Sequence, residues 1–352
     1  MSGASVLIQD AFAALVKSYA GRPAEDLYSM LIRQGFGAVA ARGEPDEESG
    51  TLEDLFAIAK TSGQYAVGVP ILEANIAALA GTASTPTSHS TVAVVESPKP
   101  GDTTAAPPSA ISLTNVPWSA VVESVIVLVD SRGPESRGSA GADRTMVATL
   151  RAADASVSEF LDIAGDRRAD VSFNHSSIKV TPQYPLRDSG ASLADVYSLG
   201  RSWALIGAAG SVLRLGVAYA QARKQFGRAI GTFQAVQQEL AQLAGAVEQA
   251  TAMCQEAAAL SAQGRPMGLA ALAAQICAKE TAATAVRVGH QIHGAMGITA
   301  EYELQRFTLR LMAGREHYGS EVSAMSLLGA SVLHEFSDDV WSVVAGDTEG
   351  PR

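Results

Sequence analysis

The feature that most constrains this chain is a double switch in the spacing of its apolar residues. From Ala194 onward they recur with the helical period. Val196, Leu199, Trp203, Ile206 and Leu213 mark one stripe, and Val236, Leu240, Leu243, Val247 and Ala250 a second. Leu269, Leu272, Ile276 and Ala283 mark a third, with Gly264-Arg265-Pro266 breaking the chain between the last two. Long helices joined by turns this short predict an antiparallel four-helix bundle. Before Ala194 the texture differs. TVAVVE, AISLT, SVIVLVD, TMVATL and VSFNHSSIKV are short runs rich in valine, isoleucine and threonine, separated by stretches such as SPKPGD and SRGPESRGSAGAD. They predict a small antiparallel sheet domain, a barrel or a sandwich.

Ahead of the strands the helical period applies again. Phe12, Leu15, Val16 and Tyr19 fall at helical spacing, as do Leu27, Met30 and Leu31. Thr51 and Asp54 form a capping-box pattern that opens LEDLFAIAK. The predicted class is α+β, with an N-terminal helical domain over 1–84 and a middle antiparallel β domain over 85–186. A C-terminal four-helix bundle follows over 187–340, with a tail over 341–352. Aromatic residues make up only 6% of the chain, which favours close-packed, alanine-rich helices over bulky sandwiches.

Charge narrows the partners. A formal net charge of −10 repels a polyphosphate backbone, so nucleic-acid binding is not expected, although a local basic pocket for a small anion is compatible with it. Cys254 and Cys277, the two cysteines, each sit in a helical pattern and read as reduced thiols. The N-terminus MSGASVLIQD lacks the basic start and apolar run of a signal peptide. No stretch reaches the ~18 uninterrupted apolar residues of a membrane span. The expectation is a cytoplasmic protein without a metal site.

Two blocks carry more. Tyr219-Ala-x-x-Arg223-x-Gln225-Phe226-Gly227 is followed by Phe233-Gln234-x-Val236-Gln237 and Leu240-Ala241. Further on, Gln291-Ile-His293-Gly294-Ala295-Met-Gly297 precedes Glu301-Tyr302 and Arg306. A guanidinium fork matches the oxygens of a pyrophosphate better than an ammonium can. Phe226 offers an apolar face beside it, and Gly227 reads as the residue that ends the helix and lets the backbone approach closely. Gln291 and the backbone around Gly294 can donate hydrogen bonds to a phosphate or an adenine. Taken alone, Arg223 is equally a cation complementing a helix C-terminus. His293 reads as a packed loop residue rather than a catalyst.

Together, and in this order after a β region, the blocks resemble the acyl-CoA dehydrogenase family over nearly the whole chain. Ala295 stands where the family has its second glycine. The resemblance implies FAD as cofactor, reached across a subunit interface by Arg223, Gln225, Phe226, Gln234, Gln291 and Gly294 toward flavin held mainly by the neighbouring subunit. It also implies an acyl-CoA substrate, oxidised between its α and β carbons, and an electron-accepting flavoprotein.

The family's reaction needs a carboxylate within hydrogen-bond reach of the α-carbon. Counting from Gln291 at the family's spacing lands on Tyr318, and counting back from Arg223 to the alternative seat lands on Tyr197. A phenol with an ordinary pKa of about 10 is a poor base. Glu316 and Glu321 flank the first seat and Asp195 lies near the second. The usual fate of such acids is a solvated surface. Trp118, in Asn115-Val116-Pro117-Trp118-Ser119, reads as a core or interface residue rather than a flavin platform.

The half of the site given to a neighbour is therefore present, and the half kept for the chain itself is missing. This pattern resembles the shortened subunit of actinobacterial α2β2 acyl-CoA dehydrogenases of steroid side-chain degradation. It implies a related, glutamate-bearing partner. The alternatives are a self-sufficient enzyme whose base has moved to Glu316 or Glu321, and a non-catalytic scaffold of the same fold.

Overall fold

In the computed structural model, residues 3–40, 50–81, 90–96, 110–117, 123–130, 146–174, 179–182, 191–316 and 321–335 are described. Four helices come first: α1 (Gly3–Ser18), α2 (Ala24–Arg33), α3 (Leu52–Gln64) and α4 (Ile71–Leu79). Thr51 and Asp54 close the capping box expected at the start of α3. The Thr51 hydroxyl accepts from the Asp54 N–H, and the Asp54 carboxylate accepts from the Thr51 N–H at 2.7 Å.

Seven strands follow: β1 (Ser90–Glu96), β2 (Ala110–Pro117), β3 (Ser124–Asp130), β4 (Met146–Arg151), β5 (Ala155–Leu161), β6 (Arg167–Asn174) and β7 (Lys179–Pro182). They form two sheets, ordered β1-β3-β4-β7 and β2-β6-β5. All pairings are antiparallel except β1 with β3, which run parallel in the register Val92↔Ile126. The sheets stack as a sandwich. Val125 and Val127 of β3 face the second sheet's Leu113, Val171 and Phe173. Ile126 and Leu128, the alternate residues, face the helical core. The run VSFNHSSIKV resolves into the end of β6 and the start of β7. β5 carries no apolar run because it is an edge strand with six of its seven residues exposed.

The C-terminal part contains α5 (Leu193–Ala222), a short hairpin of β8 (Lys224–Gln225) and β9 (Arg228–Ala229), then α6 (Gln234–Ala262) and α7 (Gly268–His293). Two shorter helices, α8 (Leu304–Arg315) and α9 (Glu321–Glu335), follow. α5 is the one described helix long and apolar enough to cross a membrane, yet 56% of its most apolar window is buried inside the fold. It is apolar on most sides because α3, α4, α6, α7 and α8 all pack on it. The α3–α5 contact is backbone against backbone. A Cβ on Gly207 would overlap the Lys60 carbonyl oxygen, and one on Gly63 would overlap the Ala204 carbonyl oxygen.

Candidate functional site

One end of the bundle gathers both sequence blocks. α5 stops at Ala222 because Arg223 turns extended (φ −74°, ψ 124°), its N–H still bonded to the Tyr219 carbonyl at 2.8 Å. β8 and β9 then pair as Gln225↔Arg228 around a two-residue turn. Phe226 (φ 50°) and Gly227 (φ 78°) both adopt left-handed backbone there, the pattern of a type I′ hairpin. Gly227 therefore closes a hairpin, while the helix has already ended at Ala222. Its freedom at positive φ is what the turn uses. Phe226 has no such freedom and costs about 1–2 kcal/mol in this conformation. Its ring is nevertheless 90% exposed. It touches Phe233 edge to face at 6.1 Å, and Arg228 lies over the same Phe233 ring at 4.4 Å.

α6 begins directly after Phe233, which provides no side-chain cap, so the first-turn N–H groups at Gln234 and beyond remain available. α7 ends beside them, at Gly294 (φ 57°, ψ −140°). The link is aromatic: His293 lies 4.6 Å from Tyr219 and 5.0 Å from Tyr302, ring centre to ring centre. His293 is buried, its Nδ1 lies 2.7 Å from the Gly289 carbonyl oxygen, and burial pushes its pKa down. A neutral packed ring fits the reading of His293 as structural.

Arg223, Gln225, Phe226, Gln234, Gln291 and Gly294 are all exposed at this end. Among the described residues no side chain pairs with Arg223, Gln225, Gln234 or Gln291. Sequence reasoning missed Lys224 and Arg228, which add two exposed cations on the hairpin. Met296 and Ile298 just past α7 are exposed as well. An unpaired guanidinium, three carboxamides, an open helix N-terminus and an exposed aromatic ring form a donor set that fits a pyrophosphate-bearing dinucleotide. A hydrogen-bonding set with no side-chain partner among the described residues, beside exposed apolar side chains, also fits a surface completed by another molecule.

The expected base seats differ. Tyr318 and Trp118 lie outside the described residues. Tyr197 is buried on α5, and its hydroxyl donates to Glu73 Oε1 at 3.0 Å. Burial, then the Glu73 charge, raises its pKa well above the ordinary phenol value. Arg201 approaches the same carboxylate oxygen at 3.5 Å. The only sequence signal for Glu73 is a lone acid inside the apolar run ILEANIAAL, and it is 2% exposed. The acids near the seats are not uniformly solvated. Asp195 is buried near the start of α5, where its N–H bonds the Ser192 cap at 3.0 Å. Glu321 pairs with Arg315 at 3.1 Å, and Glu316 is exposed at the end of α8.

With this geometry in hand, likeness to known proteins can be placed. Residues 198–333 match the family described as Acyl-CoA dehydrogenase, C-terminal domain. The probable acyl-CoA dehydrogenase YngJ of Bacillus subtilis is 40% identical over 101 residues, covering 29% of this chain and 27% of its own. The acyl-CoA dehydrogenase IpdE2 of Mycobacterium tuberculosis is 31% identical over 149 residues, covering 42% of this chain and 43% of its own. The aligned stretch is thus less than half the length of either relative. The Tcur3481-Tcur3483 steroid ACAD superposes with a TM-score of 0.76 at 22% identity, over 95% of this chain and 99% of that one. The ChsE4-ChsE5 complex from Mycobacterium tuberculosis gives 0.74 at 18% identity, over 100% and 99%. Residues 198–333 thus match the C-terminal domain of the acyl-CoA dehydrogenases, and the chain carries the acyl-CoA dehydrogenase fold.

Proposed function

We infer that this chain completes, from the α5–α7 end of its bundle, an FAD site shared with a related, glutamate-bearing subunit of a heteromeric acyl-CoA dehydrogenase. The observation that carries this reading is the β8–β9 hairpin. It holds Phe226 out at a conformational cost, beside an Arg223 with no side-chain partner among the described residues. Arg223 and the open start of α6 would hold the pyrophosphate. Gln225, Gln234 and Gln291 would donate hydrogen bonds, Phe226 would pack against the cofactor, and Gly294 would let the backbone approach. Bound FAD would supply the hydride acceptor. The α-proton base would come from the partner, because Tyr197 is buried and its hydroxyl is committed to Glu73.

Support for the heteromer comes from the paired proteins named in the two steroid-related and mycobacterial neighbours. A steroid side-chain CoA thioester is the substrate class this suggests, with a flavoprotein as electron acceptor and the cytoplasm as compartment. The reading with a relocated base loses ground because Glu321 is engaged by Arg315. A scaffold would have no use for an unpaired donor set. The test is Arg223→Ala in the assembled complex. Losing a charge-assisted contact of about 1.5–3 kcal/mol weakens flavin binding roughly 10- to 150-fold. Unchanged flavin content on dilution would refute the assignment.

A further inference from the structure

The two sequence blocks meet through one buried ring. His293, 3% exposed, closes α7 between the exposed Gln291 and Gly294. A carbonyl can only accept, so the His293 Nδ1–H donates to the Gly289 carbonyl, at 2.7 Å and one turn back, and that bond fixes the plane of the ring. Its Nε2 meets no hydrogen-bond partner, so the faces of the ring are what it offers its neighbours. One neighbour is Tyr219, with ring centres 4.6 Å apart and planes tilted by 34°. The other is Tyr302, at 5.0 Å and 50°. The two tyrosines also meet each other edge to face at 6.0 Å.

Each tyrosine belongs to a segment of the flavin-facing end. Tyr219 stands one turn before Arg223 on α5, and its carbonyl accepts the Arg223 N–H at 2.8 Å. The Arg223 carbonyl in turn accepts the Ile230 N–H at 2.9 Å, which ties the base of the β8–β9 hairpin to the same point. Tyr302 follows the 3-10 turn Gly294–Ile298, through which the chain leaves α7. That turn passes close by His293: a Cβ on Gly297 would lie 3.0 Å from the His293 Cβ and 2.8 Å from Leu304 Cδ2. Each ring pair of this kind shifts an equilibrium roughly 2- to 12-fold. Two of them on one ring can hold helix ends that would otherwise fray.

We propose that His293 is a positioning residue for flavin binding: its stack ties the Arg223 end of α5 to the Gln291–Gly294 end of α7, so that the guanidinium and the carboxamides converge on one ligand. The inference rests on the shared flavin site proposed above. His293 is buried behind the exposed Arg223, Gln291 and Gly294, and it acts through them. A donor set already held in place spares binding the cost of ordering it.

Hydrogen exchange of the full chain reads this tie directly. His293→Ala is expected to speed exchange of the Arg223 and Ile230 amides at least about fivefold while α3 amides keep their rates. His293→Phe keeps a ring and is expected to hold native rates to within about twofold. Should His293→Ala fail to fold, Tyr302→Leu opens the same stack from its half-buried side. In the assembled complex, FAD affinity is then compared for Arg223→Ala, His293→Ala and the double variant. Residues that act as one unit lose less together than separately, so the double variant should bind at least about fivefold more tightly than the product of the single losses predicts. Unchanged exchange at Arg223 and Ile230 would overturn the proposal, as would a His293→Phe chain that exchanges like His293→Ala. Equal speeding of α3 amides would also overturn it, because that marks a loss of general stability. Multiplicative losses of FAD affinity would overturn it and leave the flavin site standing. An Arg223→Ala complex with native FAD affinity would overturn the flavin site itself, and this role of His293 with it.

Discussion

Replacing Tyr197 by phenylalanine removes one hydroxyl, and the structure says what that hydroxyl does. Glu73 is 2% exposed, and its Oε1 accepts from Tyr197 at 3.0 Å and lies 3.5 Å from Arg201. A hydrogen bond to a charged acceptor contributes about 1.5–3 kcal/mol, and its loss strands a buried carboxylate. Tyr197→Phe should therefore lower stability by about 2 kcal/mol. Glu73→Leu should cost a similar amount, because it strands the buried phenol instead. Removing both partners leaves neither stranded, so the double variant should be less damaged than the two singles combined, by at least ~1.5 kcal/mol. The assay is urea unfolding followed by circular dichroism, with the midpoint and slope compared across the four proteins. Additivity within about 0.5 kcal/mol would refute the reasoning. Tyr197→Glu, which restores a carboxylate to a base seat, should fail as a repair. It would set two carboxylates together in a buried space, where both cannot be ionised.

Two further outcomes follow from packing and charge. Gly207→Ala puts a methyl into the Lys60 carbonyl oxygen, so thermal melts should show a loss of about 1–3 kcal/mol despite alanine's better helix propensity. An unchanged melt would mean α3 and α5 are further apart than described. Lys279 is 2% exposed, and burial lowers its pKa from 10.5 to about 8, opposed by Glu316 and Glu321. Between those values the unfolded chain binds more protons than the folded one, so this group makes stability rise with pH from about 8 to 10.5. Lys279→Met should flatten that rise in urea midpoints. An identical slope would show that the lysine is charged in the fold.

Much of the architecture is written in local chemistry. The α3 capping box needs only Thr51 and Asp54, three residues apart, and the long stripes of α6 and α7 need only a helical period. The fold class followed from those signals. What escaped depends on tertiary context. β5 shows no apolar run because an exposed edge strand needs none. The parallel pairing of β1 with β3 depends on how the chain returns across the sheet, which no short window contains. At the site, the two blocks pointed to Arg223 and Gln291, but the hairpin around Phe226 and Gly227 read as a helix end. A glycine after an aromatic residue serves either purpose until the Gln225–Arg228 pairing is known. Glu73 was illegible for a different reason: its partner, Tyr197, lies 124 positions away.

The central claim is that the flavin site is shared between unlike subunits, and a visible absorption spectrum tests it most directly. The chain purified alone is expected to be colourless, and to carry yellow flavin after co-expression with a glutamate-bearing relative. A chain that is yellow and turns over acyl-CoA alone would contradict the account, and would place a complete site within this one sequence.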